Sequence, residues 1–438
     1  GQHFYNIYDV DYVFEDFPET ISMIENSTMT QSQLIQLNKD DLSPDYWYVL
    51  EGLSQEDAKS YVKARLSYEP DNYIDLNTYL SLCDTEEAII FLREKLDDRP
   101  ILINWHRAYQ DYMEVNEPTY YLKKEYSSYL ENEKDSKVFY YLLGRLSEDP
   151  KEEEQLFKQS IECEDPVPYG YYALANHSFY NGDYEQALLY ALKAVDLLPN
   201  DYMVKLSLED ILMAKGEYNL LLETNQAKQS IDPMNGILVA EEVKLYMAQK
   251  DVTSAQNAIA NYLKRIDSYD QETVQIWNTY LHGLLAYYQN DGTTYADSLK
   301  EMESPVFTFQ NAFINKDLDK ASQVALDNDL DGSYFLLLYL AQDNPTSASK
   351  YLSQAIYAYQ QGGKTYQLLA DYLLQKQNYT LAEMKALAIH PSEKCIVMAA
   401  LGKLNPAYEK ELLDYAEKLN YDIDFPYHFI NKIVEDNK

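Results

Sequence analysis

Acidic residues at alternating positions mark the segment with the clearest spacing for chemistry. Asp327, Asp329 and Asp331 stand two positions apart, and Gly332 follows them directly. This order opens an EF-hand calcium loop, in which three oxygens converge on one hard cation and glycine makes the sharp turn. The bidentate glutamate of such a loop would stand where this chain has Leu338. We interpret the segment as a solvated turn between helices, with weak calcium binding as the alternative and the only cofactor suggested.

Other motifs do not predict a reaction centre. The glycine pair 362–363 before Lys364 and Thr365 matches the end of a phosphate-binding loop, but that loop needs glycine where Ala358 stands. Residues 352–361 have a helical pattern, so we interpret the glycines as a helix end. The six histidines lack the spacing of a zinc helix. The sequence therefore predicts no catalytic residues.

Charge and composition exclude some classes of partner. The 438 residues carry a net charge of −36, which repels the phosphate backbone of nucleic acids and disfavours anionic membrane surfaces. No stretch reaches the roughly 18 apolar residues that span a bilayer, so we expect no direct membrane insertion. Cys83, Cys163 and Cys395 are too far apart in the sequence for a disulfide framework or a zinc motif. The 44 tyrosines, by contrast, supply an unusual amount of aromatic surface.

The start of the chain bears on localisation. The chain begins Gly1-Gln2-His3, without an initiator methionine. We expect that a signal peptide or a membrane anchor preceded it in the natural protein. This expectation favours a bacterial cell envelope over the cytoplasm.

A repeat of 34 residues organises the middle of the chain. The turn sequence Gly-Asp-Tyr at 182–184 recurs 34 positions later as Gly-Glu-Tyr at 216–218, and Pro199 recurs as Pro233. Two independent markers with one offset indicate stacked supersecondary units. No segment shows the alternation and punctuation that predict a β-sheet domain, so each unit is expected to be a pair of helices.

Each unit has the pattern of a helical hairpin. Apolar and small residues between 171 and 178 lie on one helical face, and Ala187, Ala191 and Ala194 lie on the next. This order of aromatic, small, Gly-Asp-Tyr turn, alanines and proline resembles the tetratricopeptide repeat, most clearly over residues 169–267. The resemblance implies an all-α, right-handed superhelical solenoid of antiparallel helical hairpins.

The extent of the repeat divides the chain into three predicted regions. Residues 1–40 fit no repeat and are predicted to form an N-terminal cap or adapter segment. Residues 41–267 are predicted to be TPR-like helical repeats. Residues 268–438 have degenerate helical repeats that either continue the array or form a second sub-array.

The resemblance also implies a binding surface. In tetratricopeptide arrays, the first helix of each pair lines a concave face that usually binds an extended peptide. The residues placed there are Tyr169, Tyr172, Asn176, Phe179, Tyr180, Met203, Asp210, Met213, Lys244 and Met247. Methionine repacks easily and tyrosine gives contact area at low entropic cost, which suits hydrophobic segments. Asp210 argues against the C-terminal carboxylate that some family members clamp.

These observations predict a non-enzymatic scaffold or adapter that binds a protein or peptide. One alternative is an extracytoplasmic receptor whose exposed aromatic side chains form a platform for glycans. A second is an enzyme built on a helical scaffold.

Overall fold

The structure is a computed structural model. It describes residues 50, 52–133, 137–147, 149–162, 166–199, 201–269, 271–302, 304–328, 330, 336–338, 345–361, 363–374, 379–387, 389–421 and 423–424. These residues are helices joined by turns, with no β-strand among them, which confirms the predicted all-helical architecture. The predicted cap segment, 1–40, lies outside them.

Helices follow one another closely along the described chain. Their bounds are α1 Gln55–Tyr68, α2 Tyr73–Ser81, α3 Thr85–Arg93, α4 Ile103–Asn116, α5 Leu122–Asn132, α6 Lys137–Gly144, α7 Pro150–Ile161, α8 Pro168–Tyr180, α9 Tyr184–Leu197, α10 Tyr202–Lys215, α11 Tyr218–Ile231, α12 Gly236–Ala248, α13 Val252–Arg265, α14 Gln271–Tyr288, α15 Gly292–Ser298, α16 Pro305–Ile314, α17 Leu318–Asp327, α18 Pro345–Gln360, α19 Lys364–Leu373, α20 Leu381–Lys385, α21 Pro391–Leu404 and α22 Glu409–Leu419. A 3₁₀ turn, Leu299–Glu301, follows α15, and residues 336–338 are also helical.

Five of the turns share one backbone geometry. Their left-handed residues are Gly182, Gly216, Lys250, Asn290 and Lys316, with φ between 61° and 75°. In each turn, the N–H of the following residue donates to the carbonyl five residues earlier at 2.9 Å, which is the Schellman arrangement that ends a helix. The hairpin therefore recurs beyond the three units that are clearest in the sequence.

Acidic caps start the second helix in four of these five hairpins. The carboxylates of Asp183, Asp251, Asp291 and Asp317 each accept a hydrogen bond from the backbone N–H three residues on. Such a cap satisfies an N–H group that the first turn of a helix leaves without a partner, and it contributes about 1 kcal/mol. Four of the chain's many acidic residues therefore have a structural role as helix N-caps.

The chain divides into two compact units, residues 1–170 and 171–438. In the first unit, α1 packs on α2, α3 on α4, α5 on α6 and α6 on α7, while α4 also contacts α2 and α6. Contacts between alternate helices are typical of a solenoid. A buried ion pair joins α1 to α2, because Arg65 Nε lies 3.0 Å from the Asp75 carboxylate oxygens.

In the second unit, consecutive helices from α9 to α17 pack in sequence, and α12 also contacts α14. The predicted small residues Ala175, Ala187 and Ala194 are buried, and Ala175 of α8 shares one core cluster with Ala187 of α9. One continuous core cluster then extends from Phe309 to Leu419.

The last hairpin of this unit returns to the first. Lys394 Nζ on α21 donates to the carbonyl of Tyr180 at 3.1 Å, and the Tyr184 hydroxyl donates to the carbonyl of Leu419 at 3.2 Å. The Leu419 side chain packs so closely over Gly182 that a Cβ there would lie 3.3 Å from it. The C-terminal hairpin α21/α22 is thereby fixed beside the α8–α9 turn.

Candidate functional site

The predicted binding residues lie mainly on the first helices of three hairpins in the second unit. α8 carries Tyr172, Asn176, Phe179 and Tyr180, α10 carries Met203, Asp210 and Met213, and α12 carries Lys244 and Met247. These helices begin 34 residues apart, so equivalent positions recur on neighbouring helices. The Ser207 hydroxyl donates to Asn176 Oδ1 at 2.7 Å and joins α10 to α8.

A short piece of the same chain contacts these helices. It follows α22 directly, and we call its described residues, 420–421 and 423–424, the C-terminal segment. The partly buried Tyr421 ring lies with its centroid 5.8 Å from that of Phe179 and 6.0 Å from that of Tyr184. Its hydroxyl is 3.3 Å from Nε2 of His390, the N-cap residue of α21. Tyr421 therefore packs between the first and the last hairpins of the unit.

Ile423 provides the second contact of the C-terminal segment. Its side chain packs against a buried leucine cluster from α10, α11 and α12, formed by Leu212, Leu221, Leu222 and Leu245. Met213, one of the predicted residues, packs against the same cluster. The carbonyl of Ile423 accepts a hydrogen bond of 2.6 Å from the hydroxyl of Tyr288 at the end of α14. Both the backbone and the side chain of this residue are thus engaged.

Asp424 provides the third contact. Its Oδ1 lies 2.5 Å from Nζ of Lys244 on α12. Burial acts to lower the pKa of Lys244, but Asp424, Tyr280 and Glu241 act in the opposite direction, and the pKa is raised overall. The ammonium group therefore stays charged at neutral pH, and this position favours a carboxylate.

These three contacts define a surface that we call the docking surface: Phe179, Tyr184, Leu212, Lys244 and Tyr288. It offers an aromatic site, an aliphatic site, a hydroxyl donor and a cation, in the order in which Tyr421, Ile423 and Asp424 contact them. Such a set recognises an extended chain through alternate side chains and one backbone carbonyl.

Similarity to known proteins adds no assignment. No protein-family model matches the chain, and no curated protein matches it. The site is therefore interpreted from its geometry alone.

Asp210 lies at the edge of the docking surface. Its Oδ2 is 3.7 Å from Nε2 of His390, the same nitrogen that the Tyr421 hydroxyl approaches. The ring of Phe179 contacts His390 edge-on, with centroids 5.3 Å apart. His390 thus links the predicted residues Phe179 and Asp210 to α21, and a carboxylate brought here would meet Asp210.

The structure brings together only some of the predicted residues. Tyr180 contributes its carbonyl to Lys394, and its ring lies near His390. Phe179 and Met247 are buried, Met247 in a core cluster that reaches from α12 to the turn after α15. Tyr172, Asn176 and Met203 are partly buried.

Tyr169 belongs to the first unit, where it is part of a different cluster. It is buried, and the Arg107 guanidinium lies 4.4 Å from its ring centroid and 4.6 Å from that of Tyr73. The Tyr73 hydroxyl donates to Asp111 at 2.5 Å, and Arg145 pairs with the same carboxylate. Burial, with the nearby Asp111, raises the pKa of Tyr73 to about 12. These contacts join α2, α4, the residue that follows α6 and the start of α8.

The predicted calcium loop is only partly within the described residues. Asp327 ends α17, whereas Asp329 and Asp331 lie outside the part of the chain that the structure describes. Among the described residues, no three His, Cys, Asp or Glu side chains are grouped as metal ligands. A phosphate-binding loop follows a β-strand, whereas Gly363 lies between helices α18 and α19.

Neither a membrane-spanning helix nor a cluster of the most exposed tyrosines is found among the described residues. No described helix combines the length and the apolar character that crossing a bilayer requires. The tyrosines with the largest exposed fractions are Tyr68, Tyr121 and Tyr357, which lie at the end of α1, before α5 and on α18.

Neither the C-terminal segment nor His390 was predicted from the sequence. A signal was present, because apolar residues at 421 and 423 alternate with acidic residues at 422 and 424 just after a helix. This period of two is typical of an extended segment with one apolar face.

Proposed function

We propose that this protein is a non-enzymatic scaffold or adapter that binds an extended segment of a protein or peptide on the docking surface. The proposal includes a tetratricopeptide-type, right-handed superhelix and a place in a bacterial cell envelope. The partner is a polypeptide rather than nucleic acid, because the net charge of −36 opposes binding of phosphate backbones.

One observation carries the proposal. The docking surface already contacts a segment of polypeptide through a ring, an aliphatic side chain, a carbonyl and a carboxylate. A surface that makes this set of contacts with its own chain has the chemistry to make it with another. The adaptable Met213 and the hydroxyl of Tyr288 also support binding of varied peptide segments.

A peptide library displayed on phage tests this function. The library is selected against the full chain and against a full-length variant with Tyr421→Ala and Asp424→Ala, which removes two contacts of the C-terminal segment. We expect enrichment of peptides whose binding is lost in Lys244→Met. The matched control is Lys300→Met, because Lys300 pairs with Asp297 on an exposed surface of the same unit.

Two results would contradict the proposal. One is a failure to enrich any peptide on either protein. The other is enrichment of peptides that bind Lys244→Met and the parent protein equally. A glycan array run in parallel tests the receptor hypothesis, since glycan binding without peptide binding would favour an exposed aromatic site instead.

A further inference from the structure

The C-terminal segment and the docking surface together imply a regulated binding site. We propose that the C-terminal segment is an internal competitor for the docking surface, and that the partner displaces it with a segment of the same chemistry. That chemistry is an aromatic residue, an aliphatic residue two positions later, and a carboxylate immediately after it. This inference rests on the proposed function and adds the partner class and its regulation.

Each contact of the segment has a separate chemical requirement. An aromatic ring is needed here, since the tilted contact with Phe179 and the edge-on contact with Tyr184 contribute beyond the buried area. An aliphatic side chain is needed on the leucine cluster beneath Ile423. The order of these sites fixes the spacing that the partner must have.

The carboxylate requirement follows from Lys244. Its side chain is 22% exposed, and its ammonium group pairs with Asp424. When the C-terminal segment leaves, Glu241 remains near this ammonium, but the direct ion pair is lost. A partly buried charge that loses its partner is costly, so an incoming peptide with a carboxylate here is favoured over one without it.

The segment can leave without undoing the fold around it. α22 ends at Leu419, whose buried side chain and accepted hydrogen bond hold the helix beside Gly182 and Tyr184. Lys394 fixes α21 to Tyr180 independently of the C-terminal segment. Displacement therefore needs only the contacts after Leu419 to open.

Competition has a measurable size. The apparent dissociation constant of a peptide equals its intrinsic constant divided by the fraction of molecules whose docking surface is free. If the C-terminal segment occupies the surface in about nine molecules out of ten, binding is weakened about tenfold. Removal of the segment's contacts should recover that factor.

The probe is a fluorescein-labelled peptide with the sequence of residues 419–424, acetylated at its N-terminus and amidated at its C-terminus. Its affinity for the full chain and for the Tyr421→Ala/Asp424→Ala variant is measured by fluorescence anisotropy. We expect the variant to bind the probe at least tenfold more tightly. The control Asp297→Ala removes a carboxylate from an exposed ion pair and should bind the probe as the parent does.

A second comparison tests the carboxylate contact. In the Tyr421→Ala/Asp424→Ala background, Lys244→Met should weaken probe binding at least tenfold, whereas Lys300→Met should not change it. A probe with asparagine in place of its final aspartate should bind the background variant more weakly. Circular dichroism of each variant establishes that the helices are intact.

The outcomes separate the two proposals. Equal probe affinity for parent and double variant overturns the internal competitor, while the proposed peptide binding stands. No probe binding to a folded double variant overturns the partner chemistry stated here, and the library selection then decides the proposed function independently.

A measurement on the unaltered protein avoids any folding defect. Carbodiimide activates a carboxyl group, and attack by a contacting lysine amine forms an amide while the reagent leaves as a urea. The Lys244–Asp424 pair at 2.5 Å is a suitable target. Mass spectrometry should find this cross-link, and saturating probe should reduce its yield. An unchanged yield with probe bound would show that the probe binds elsewhere.

Discussion

Replacement of Lys394 by methionine tests how a buried ammonium group affects the second unit. The Lys394 side chain is fully buried, and Nζ donates to the carbonyls of Tyr180 and Lys385. Burial lowers the pKa of Lys394 from 10.5 to about 8, although two carbonyl acceptors favour the charged form. The lysine therefore joins two hairpins while its charge costs stability.

The sign and size of the effect follow from proton linkage. Between pH 8 and 10.5, the unfolded lysine holds a proton that the folded lysine has released, so the free energy of unfolding rises with pH. Below pH 8 the buried ammonium group of Lys394 lowers the free energy of unfolding by its full amount, and above pH 10.5 this destabilisation disappears. A shift of this size corresponds to about 3 kcal/mol, of which about 2 kcal/mol is recovered between pH 8 and pH 10.

The comparison is made between the parent protein and Lys394→Met. The methionine side chain does not titrate, and the many tyrosines are common to both proteins, so their contributions cancel in the difference. Relative to the variant, the parent should gain about 2 kcal/mol of unfolding free energy from pH 8 to pH 10. Lys394→Met also leaves the carbonyls of Tyr180 and Lys385 without the ammonium group as donor. That loss is the same at every pH, so it does not affect the predicted change with pH.

Cys395 supplies a local assay. Its thiol is fully buried on α21, next to Lys394, so it reacts with a pulse of iodoacetamide only when this region opens. The labelled fraction, measured by mass spectrometry along a urea series, gives the unfolding free energy of the second unit at each pH. A parent-to-variant difference that stays constant from pH 8 to pH 10 would refute the assigned pKa of Lys394.

Two further substitutions test packing and charge. Gly236→Ala should destabilise the protein by about 1–3 kcal/mol, since the new Cβ would lie 2.5 Å from the Trp277 ring. Gly363→Ala is its control, because no neighbouring atom of the described residues lies within 4 Å of the added carbon, and equal melting temperatures for the two variants would contradict the argument. Asp75→Asn should cost about 3 kcal/mol by removing the charge that faces buried Arg65, which thermal unfolding of the first unit checks.

The sequence predicted the helical hairpins well where the turn residues were visible. Gly182 and Gly216 indicate left-handed turns because glycine adopts positive φ without steric cost. Lys250, Asn290 and Lys316 adopt the same conformation without being glycine. A non-glycine residue there costs roughly 1–2 kcal/mol, and the packing of flanking helices must offset it. Sequence patterns alone do not reveal that compensation, so they indicate fewer hairpins with this turn than the structure contains.

Only part of the candidate site was predictable. The resemblance to the tetratricopeptide repeat implied that Phe179, Asp210 and Lys244 lie on the first helices of their hairpins, where the structure has them. Their contacts with His390 and Asp424 join residues that are far apart in the sequence, and no local pattern encodes such a pairing. Because the last hairpin lies beside the first, the segment that follows it contacts the docking surface.

The position of the last hairpin also determines how strongly the C-terminal segment competes with a partner, because it fixes the length of the tether. A single residue, Asn420, separates the fixed Leu419 from Tyr421, so the C-terminal segment has a short tether and an effective concentration of about millimolar or more. A free peptide at micromolar concentration must therefore bind better than the segment, or the α21/α22 hairpin must loosen and lengthen the tether. The Lys394 contact is not part of this competition, because it fixes α21 to Tyr180 without the C-terminal segment. Loss of Asp424 weakens the segment's own contact while the hairpin stays in place, so probe binding to an Asp424 variant measures contact strength at constant tether length.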